Sequence, residues 1–293
     1  MEGKNQLTVL EFLNSSRNKL ESKGIDESRI IAELLLCDVI GCDRMKLYLD
    51  FERPLSKDEL ETLNSLLERK LNDEPLQFIQ EKAYFYGYEF YVDRNVLIPR
   101  PETENLVELI LGHILASQKK SIEILEVGTG SGNIPIAMAK ELDKHKISYI
   151  INSIDVSKEA IEVAKQNQIK HEPYNGILNF HCKSIFDIPA LKKNVDYIVS
   201  NPPYVSADRY EKLSPDVKEF EPEVSLTDGF DGLTFFRKLT DLIKPESVKC
   251  ELFSEIGYGQ KESINQILLD GGITNVRFIN DYADIPRIVH VSK

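Results

Sequence analysis

The chain has 293 residues, of which 42% are hydrophobic and 29% are charged, a composition typical of a globular protein with a sizeable core. Its 48 acidic residues outnumber its 36 basic residues, and the net charge of −12 opposes the counterion release that dominates affinity for nucleic acids. DNA and RNA are therefore disfavoured as partners, although a local basic patch could override the overall charge.

Helical patterns alone fill the first 75 residues. Two capping boxes, each a hydroxyl residue followed by a glutamate, predict helix starts at Thr8 with Glu11 and at Ser56 with Glu59. Between them, Asp26 is predicted to cap a helix that ends at Gly41. Because apolar residues recur at helical spacing behind each start, we predict a small helical bundle domain over residues 1–75.

A segment rich in aromatic residues follows this region. Between Ala83 and Val96 the chain carries six tyrosines and phenylalanines, which Gly87 divides into two runs. Aromatic residues favour β-strands, and a glycine between two such runs favours a turn. We therefore predict a β-hairpin linker over residues 76–98.

Strand and helix patterns alternate in residues 99–293. Buried strands are predicted by five apolar runs: Ile122–Val127, Tyr149–Val156, Ile177–Cys182, Val195–Ser200 and Cys250–Ile256. Amphipathic helices between the runs indicate a parallel α/β sheet with helices on its faces. Two further strands, Val276–Ile279 and Arg287–Val291, predict an antiparallel edge of that sheet.

A glycine-rich turn, Gly128-Thr129-Gly130-Ser131-Gly132, connects the first of these strands to a predicted helix. Such a turn lets the backbone approach a ligand and directs free amide groups towards it. Its spacing differs from the dinucleotide fingerprint and it lacks the lysine of a phosphate-binding loop, which disfavours a pyrophosphate ligand. Asp155, at the end of the next strand, occupies the position where α/β nucleotide sites hold a ribose. The pair favours a nucleoside ligand over a merely structural turn and helix start.

The segment Asn201-Pro202-Pro203-Tyr204 follows the strand Val195–Ser200, at the sheet edge where ligands of α/β proteins bind. A planar amino group conjugated to a carbonyl or a ring could donate its two hydrogens to the Asn201 side-chain oxygen and the Pro202 carbonyl, with Tyr204 against its flat face. Fixing such a nitrogen against an electrophile contributes through proximity and through acceptors that strengthen as positive charge develops. A proline pair that only ends a strand is the competing interpretation of this segment.

The glycine turn, Asp155 and the Asn201–Tyr204 segment, in this order, resemble class I (Rossmann-like) S-adenosylmethionine-dependent methyltransferases that alkylate amino groups. Further stretches extend the resemblance to the HemK/PrmC family over nearly the whole chain: Glu74–Ile79, Val96–Glu104, Glu221–Glu223, Asp231–Leu233 and Glu255–Gln260. Members of that family methylate the side-chain amide nitrogen of the glutamine in the Gly-Gly-Gln motif of class 1 peptide-chain release factors.

The resemblance implies an enzyme with S-adenosyl-L-methionine as cofactor and a class 1 release factor as protein substrate. It implies a helical N-terminal domain that positions this substrate, joined by the hairpin to a methyltransferase domain. The cofactor-binding residues it implies are Glu126, Gly128, Thr129, Gly130, Ser131, Gly132, Asp155, Ile185 and Asn201. The catalytic residues it implies are Asn201, Pro202 and Tyr204, and Pro203 joins these three in binding the target glutamine.

Two stretches of the resemblance need separate interpretation. The family's adenine pocket usually has an acidic residue followed by tryptophan, whereas this chain has Ser184-Ile185-Phe186, so that Ile185 is left to pack on the ring. The stretch Arg100-Pro101-Glu102 is equally compatible with a simple helix start and with a role for Arg100 and Glu102 in gating the cofactor mouth.

Two rival activities share this chemistry: methylation of a glutamine in a ribosomal protein, and methylation of the amino group of adenine in DNA or RNA. The net negative charge counts against direct nucleic-acid binding. A binding module that keeps the fold without activity would be favoured only by a degraded glycine turn or loss of Asn201, and both are intact. Neither the five histidines nor the four cysteines show metal-ligand spacing, so we expect no metal site, no disulfide framework, a cytoplasmic location and no membrane segment.

Overall fold

The computed structural model describes residues 7–191, 194–245 and 248–292, and the chain divides into two compact units, Met1–Glu81 and Lys82–Lys293. The division lies beyond residue 75, where the helical domain was expected to end, because residues 76–80 form one more helix of the first unit. Among the described residues, no helix combines the length and the apolar character needed to cross a lipid bilayer.

The first unit is helical, as predicted. Its described helices are α1 (Val9–Ser22), α2 (Ser28–Ile40), α3 (Arg44–Leu49), α4 (Lys57–Leu71) and α5 (Leu76–Gln80). Both predicted capping boxes form, at Thr8 with Glu11 and at Ser56 with Glu59. The predicted Asp26 cap is wrong: Glu27 precedes α2 in a left-handed conformation and no side chain caps the helix, which ends at Gly41 as predicted.

The second unit begins with the predicted hairpin, formed by β1 (Lys82–Phe85) and β2 (Tyr88–Tyr91). Its turn passes through Gly87 at a φ of 78°. The side chain of Asn167 is completely buried and donates 2.9 Å hydrogen bonds to the carbonyls of both Tyr91 and Ser131. One amide therefore ties the end of the hairpin to the glycine turn.

A seven-stranded sheet follows, in the order β5-β4-β3-β6-β7-β9-β8. Its strands are β3 (Ser121–Val127), β4 (Ser148–Asp155), β5 (Ile177–Cys182), β6 (Tyr197–Ser200), β7 (Glu251–Glu255), β8 (Val276–Asn280) and β9 (Pro286–Val291). The first five are parallel, and β9 runs antiparallel to both of its neighbours. The predicted α/β sheet with an antiparallel edge is confirmed.

Helices connect the strands and cover the sheet. They are α6 (Pro101–Ser117), α7 (Asn133–Lys144), α8 (Lys158–Lys170), α9 (Ala207–Tyr210), α10 (Pro215–Lys218), α11 (Glu223–Leu226), α12 (Thr234–Ile243) and α13 (Lys261–Asp270). Two clusters of buried apolar side chains form the core of this unit, the larger one with α6 and α7, the other with α12 and α13. The chain moves outward from β3 to β5 and then returns to β6 on the other side of β3, so the ends of β3 and β6 bound a topological switch point, where α/β sheets bind ligands.

Candidate active site

A cavity of about 320 Å³ opens at this switch point. Six of the residues singled out in the sequence line it: Gly128, Gly130, Asp155, Ile185, Asn201 and Pro203. They come from the ends of β3, β4 and β6 and from the segment after β5, which lie far apart in the chain and meet only because parallel strands end at one edge.

The glycine turn brings its backbone close to the other wall of this cavity. Gly128 adopts a φ of 83°, and a Cβ there would lie 3.4 Å from the Asn201 carbonyl oxygen. Gly132 begins α7 at a φ of 79°, where a Cβ would approach the Ala164 Cβ to 3.2 Å. The left-handed backbone favours glycine at both positions, and at Gly132 the close neighbour adds a steric reason.

Four of the five amide groups of the turn are already hydrogen-bonded within the described residues, rather than free for a ligand as expected. Gly128 N and Thr129 N both donate to the Ile154 carbonyl, at 2.9 and 3.3 Å, and Gly132 N donates to the Thr129 carbonyl at 2.9 Å. Gly130 N donates to Asp155 Oδ2 at 2.9 Å. With four of its five amide donors used in this way, the turn offers a ligand mainly close approach to its backbone.

Asp155 holds its carboxylate at the cavity wall through two backbone hydrogen bonds. Its Oδ2 accepts from Gly130 N and its Oδ1 from Ser157 N, each at 2.9 Å. Burial raises the pKa of this carboxyl, and the hydrogen bonds to the backbone oppose that shift. Because each carboxylate oxygen can accept more than one hydrogen bond, both retain capacity for a pair of ribose hydroxyls.

Glu126 lies beneath the turn rather than on the cavity wall. Its side chain is fully buried, and its Oε2 accepts a 2.9 Å hydrogen bond from the Thr129 hydroxyl. Its Oε1 and the nearby Ser153 hydroxyl meet no partner at hydrogen-bond geometry among the described residues. Burial raises the pKa of Glu126 to about 8, so the carboxyl is mainly protonated at neutral pH.

The side chains of Thr129 and Ser131 are also buried, each with 1% of its surface exposed. Thr129 is bound to Glu126, and the Ser131 hydroxyl contacts Asn133 Oδ1 at 3.2 Å. Neither residue lines the cavity, nor does Gly132. Their assignment to cofactor binding stays a prediction, and the contacts that they make support the shape of the turn.

The segment after β5 supplies an apolar wall. Ile185 lines the cavity with only 3% of its surface exposed, and Phe186 and Phe235, at 5.3 Å between ring centroids, also line it. The Ser184 hydroxyl accepts from Phe186 N at 3.2 Å and caps the short turn of helix that follows. Ser184 thus shapes this wall, which leaves the faces of apolar side chains for a flat ring.

The Asn201–Tyr204 segment forms the wall opposite the glycine turn. Asn201 lines the cavity and its Nδ2 donates to the Thr103 hydroxyl at 3.1 Å. Pro203 is buried and lines the cavity, whereas Pro202 is buried and, like Tyr204, is not among the lining residues. The Tyr204 hydroxyl donates to Glu255 Oε1 at 3.2 Å, and burial raises its pKa.

Two turns, one before α12 and one after β7, fix the backbone of Tyr204. Gln260 Nε2 donates to the carbonyls of Tyr204 and Gly232, at 2.9 and 3.1 Å, and Gln260 Oε1 accepts from Gly257 N at 2.8 Å. A Cβ on Gly232 would overlap the Tyr204 carbonyl oxygen, and one on Gly257 would lie 3.0 Å from the Tyr204 ring. The Asp231–Leu233 and Glu255–Gln260 stretches therefore act on the position of Tyr204.

The two residues considered for gating the cofactor mouth have different environments. The Arg100 guanidinium pairs with Glu221 at 2.6 Å, and the Glu221 side chain is almost completely buried. Glu102 is exposed, in the first turn of α6. Arg100 and Glu102 do not line the cavity, although Pro222, next to Glu221, does.

Sequence reasoning missed Thr103 and Glu255 as individual site residues. Both are buried, and their side chains are joined by a 2.7 Å hydrogen bond. They lie within stretches that carried the resemblance, at the start of α6 and the end of β7, but 152 positions apart. Only the fold brings them together behind Asn201, so no local pattern could have paired them.

A second polar cluster lies outside this cavity. His113 Nε2 and His290 Nε2 contact the two carboxylate oxygens of Glu251 at 3.1 and 2.8 Å. Glu251 is the first residue of β7, whereas the cavity lies where the parallel strands end. A hydrogen-bonded carboxylate between two imidazoles accounts for this grouping, which the scattered positions of the histidines in the sequence conceal.

The cavity suits the chemical groups of S-adenosylmethionine. A carboxylate with spare acceptor capacity, Asp155, matches a ribose diol, and the buried Ile185 beside Phe186 matches a flat apolar ring. The missing Cβ of Gly128 leaves room beside Asn201 for a chain that reaches the second wall. The residues present therefore fit this cofactor.

Comparisons with known proteins agree with these observations. Residues 11–80 match the family described as the PrmC N-terminal domain, and residues 118–250 match a family described as a methyltransferase domain. A protein of Koribacter versatilis named release factor glutamine methyltransferase is 34% identical, over 97% of this chain and 98% of its own length. Proteins of the same name from Bacillus subtilis and Dictyoglomus turgidum are 36% and 37% identical, over 89% and 97% of this chain and 89% and 96% of their own lengths.

Proposed function

Because this chain belongs to the family of release factor glutamine methyltransferases, we propose that it methylates the side-chain amide nitrogen of the glutamine in the Gly-Gly-Gln motif of a class 1 peptide-chain release factor. The observation that carries the proposal is the arrangement of Asn201 and Pro203 on one cavity wall, with Gly128 and Asp155 on the others. A ligand held by the glycine turn and Asp155 lies next to whatever Asn201 holds.

In this proposal, different residues of the chain bind different parts of the cofactor. Asp155 accepts hydrogen bonds from its ribose hydroxyls, Ile185 packs against its adenine, and Gly128 and Gly130 lie against its methionine portion. Glu126 and Thr129 support the turn from below. S-adenosylmethionine supplies a methyl group on a sulfonium sulfur, which is electrophilic enough to react with a weak nitrogen nucleophile.

Asn201 and Pro202 hold the target nitrogen. Its two hydrogens are accepted by Asn201 Oδ1 and the Pro202 carbonyl oxygen, which fixes the plane of the target amide and directs the lone pair out of that plane. As the new bond forms, positive charge grows on the nitrogen and both acceptors interact with it more strongly. One of the two hydrogens then leaves as a proton to solvent, which restores a neutral amide. Asn201 and Pro202 therefore stabilise the transition state more than the bound substrate, the condition for catalysis.

Two further features support the choice of a protein substrate in the cytoplasm. The net charge of −12 is unfavourable for the phosphate contacts that a nucleic-acid substrate would make. Cys37, Cys42, Cys182 and Cys250 are all free thiols, consistent with a reducing compartment. We assign the helical first unit, Met1–Glu81, to positioning the release factor.

The test is to incubate the protein with S-adenosylmethionine labelled in its methyl group and, separately, with a release factor, ribosomal proteins, DNA or RNA. We expect label in the release factor, located by mass spectrometry on the glutamine of the Gly-Gly-Gln motif. The matched control is a release factor with glutamate in place of that glutamine, which has no amide nitrogen and must remain unlabelled. Label in another substrate, or equal label in the control, would contradict the proposal.

A further inference from the structure

Asn201 and Tyr204 share one buried carboxylate behind the cavity wall. Glu255 Oε2 accepts a 2.7 Å hydrogen bond from the Thr103 hydroxyl, which itself accepts from Asn201 Nδ2 at 3.1 Å. Glu255 Oε1 accepts from the Tyr204 hydroxyl at 3.2 Å. Thr103 and Glu255 are 1% and 3% exposed, so water does not compete for these bonds.

The chemistry of these groups gives the chain of hydrogen bonds a single direction. A carboxylate only accepts, so both hydroxyl hydrogens are committed to Glu255. The Thr103 oxygen can then act only as an acceptor towards Asn201. The hydrogens that the Asn201 side chain can donate to it are those on Nδ2. Because the amide is planar, fixing Nδ2 on Thr103 turns Oδ1 away from Thr103. Asn201 itself lines the cavity.

We propose that Glu255, acting through Thr103, is a positioning residue that selects which end of the Asn201 side-chain amide, Oδ1 or Nδ2, meets the substrate. With the relay intact, Asn201 presents its oxygen, an acceptor, to the target amino group. With the relay broken, the amide is free to turn over and to present its own amino group, which repels that target. The inference rests on the proposed function, since it assigns the origin of the acceptor on which the transfer depends.

The groups around Glu255 shift its pKa in opposite directions. Burial raises its pKa, while the hydrogen bonds from Thr103 and Tyr204 and the positive charge of Arg287 act against that shift. The nearby Glu102 carboxylate adds to the upward shift of the Glu255 pKa. A fully buried acid that served packing alone would be better replaced by an apolar residue, since burying it costs free energy that its two hydrogen bonds only partly offset.

Three substitutions separate the relay from mere packing. Thr103→Val keeps the shape but removes both the acceptor for Asn201 and the donor to Glu255. Thr103→Ser keeps the hydroxyl. Glu255→Gln keeps the size but introduces a donor, so one of the two hydroxyls loses its acceptor.

The experiment measures single-turnover methyl transfer to the release factor at saturating cofactor for these variants. We expect Thr103→Val and Glu255→Gln to be about 10- to 100-fold slower, with unchanged affinity for S-adenosylmethionine, and Thr103→Ser to stay within about threefold of wild type. The matched control is Thr240→Val, because the buried Thr240 hydroxyl donates only to the Phe236 carbonyl within α12. An equal loss in Thr240→Val or Thr103→Ser, or a normal rate in Thr103→Val, would overturn the proposal.

A second measurement needs no substrate and so distinguishes failure of this inference from failure of the proposed function. In protein labelled with ¹⁵N-asparagine, the Asn201 side-chain amide signal is assigned by its loss in Asn201→Ala. We expect the Nδ2 hydrogen that is donated to Thr103 to exchange slowly with solvent in the wild type and in Thr103→Ser, and at least about 10-fold faster in Thr103→Val and Glu255→Gln. Fast exchange in the wild type would refute the relay whatever the enzyme methylates.

Discussion

Single atoms decide the chemistry at the cavity wall, and Asn201 is the clearest case. Its Nδ2 is engaged with Thr103, while the residue as a whole lines the cavity. With Nδ2 engaged in this way, Oδ1 is the atom that the proposed function assigns to the substrate. Asp155 is similarly constrained, because backbone amides of the turn and of the next helix hold both of its oxygens.

In the proposed function, replacing Asn201 by alanine removes one of the two acceptors for the target nitrogen. We expect single-turnover transfer to the release factor to slow by about 10²- to 10³-fold, as is typical when one preorganised hydrogen-bonding group is lost. Affinity for the release factor is expected to fall much less, because the remote surface supplies most of the binding free energy. A rate within about threefold of wild type, in a variant that unfolds at the wild-type temperature, would contradict the role given to Asn201.

The raised pKa of Glu126 predicts that the free energy of unfolding depends on pH. Its pKa is about 8 in the folded protein against an ordinary value of 4.5, so the folded state binds more protons between these values. Glu126 therefore does not reduce the free energy of unfolding below about pH 4.5. That free energy falls as the pH rises towards 8. At about 1.4 kcal/mol per pKa unit, the loss is on the order of a few kcal/mol.

The neutral variant Glu126→Gln should not show this loss. We expect the free energy of unfolding of the wild type to fall relative to that of Glu126→Gln between pH 5 and 8, as measured by urea denaturation at four pH values. Glu108→Gln, at an exposed position of α6, is the control and should follow the wild type. Parallel curves for the wild type and Glu126→Gln would show that Glu126 is ionised throughout.

At the scale of elements, the turns at Asp231–Leu233 and Glu255–Gln260 hold the segment after β6 in position. Gly232 and Gly257 have no room for a Cβ because the backbone and ring of Tyr204 lie against them. The resemblance identified these stretches without indicating what they contact. Their function follows from sheet order, since β7 is the neighbour of β6 and its end lies next to the Asn201–Tyr204 segment.

Gly232 and Gly229 form a matched pair for testing this arrangement. Both have a positive φ, 78° and 73°, but a Cβ at Gly229 meets nothing within 4 Å, whereas one at Gly232 overlaps the Tyr204 carbonyl oxygen. Gly229→Ala should cost about 1–2 kcal/mol of stability, from backbone strain alone, and leave the methyl-transfer rate unchanged. Gly232→Ala should cost more and slow transfer at least about 10-fold; equal rates for the two variants would mean that the Tyr204 backbone need not be held.

The sequence was sufficient for elements that local chemistry determines, and insufficient where geometry across the fold decides. The capping boxes at Thr8 and Ser56 form because each satisfies its own backbone amides. Asp26 fails as a cap because the chain enters α2 through a left-handed Glu27, a tertiary choice that no local pattern reveals. The cavity wall at Asp155 was predictable from strand order, whereas the pairing of Thr103 with Glu255 required the sheet itself.

The whole molecule consists of two units, each with its own core. Buried apolar side chains of α1, α2 and α4 form the core of Met1–Glu81, and the two clusters flanking the sheet form that of Lys82–Lys293. The residues lining the cavity all belong to the second unit. Cofactor binding is therefore expected to require the second unit alone.

A fragment of residues 82–293 tests this division. We expect it to fold cooperatively and to bind S-adenosylmethionine with the affinity of the full chain in calorimetric titration. Methylation of an intact release factor should be at least about 10-fold slower at subsaturating substrate, because the positioning unit is missing. If the fragment methylates the release factor as fast as the full chain, Met1–Glu81 has no part in positioning, and if it binds no cofactor the units are not independent.

The relay from Asn201 through Thr103 to Glu255 also bears on the order of folding. Its two links close chain separations of 98 and 152 residues, and the entropic cost of such closures makes long-range contacts form late. During synthesis, Asn201 and Asp155 leave the ribosome well before Glu255, which arrives with β7. An incomplete chain can thus acquire the glycine turn and the nucleoside wall while the Asn201 side-chain amide still lacks a defined orientation. We therefore expect methyl-transfer activity to recover later than cofactor binding when the unfolded protein is refolded.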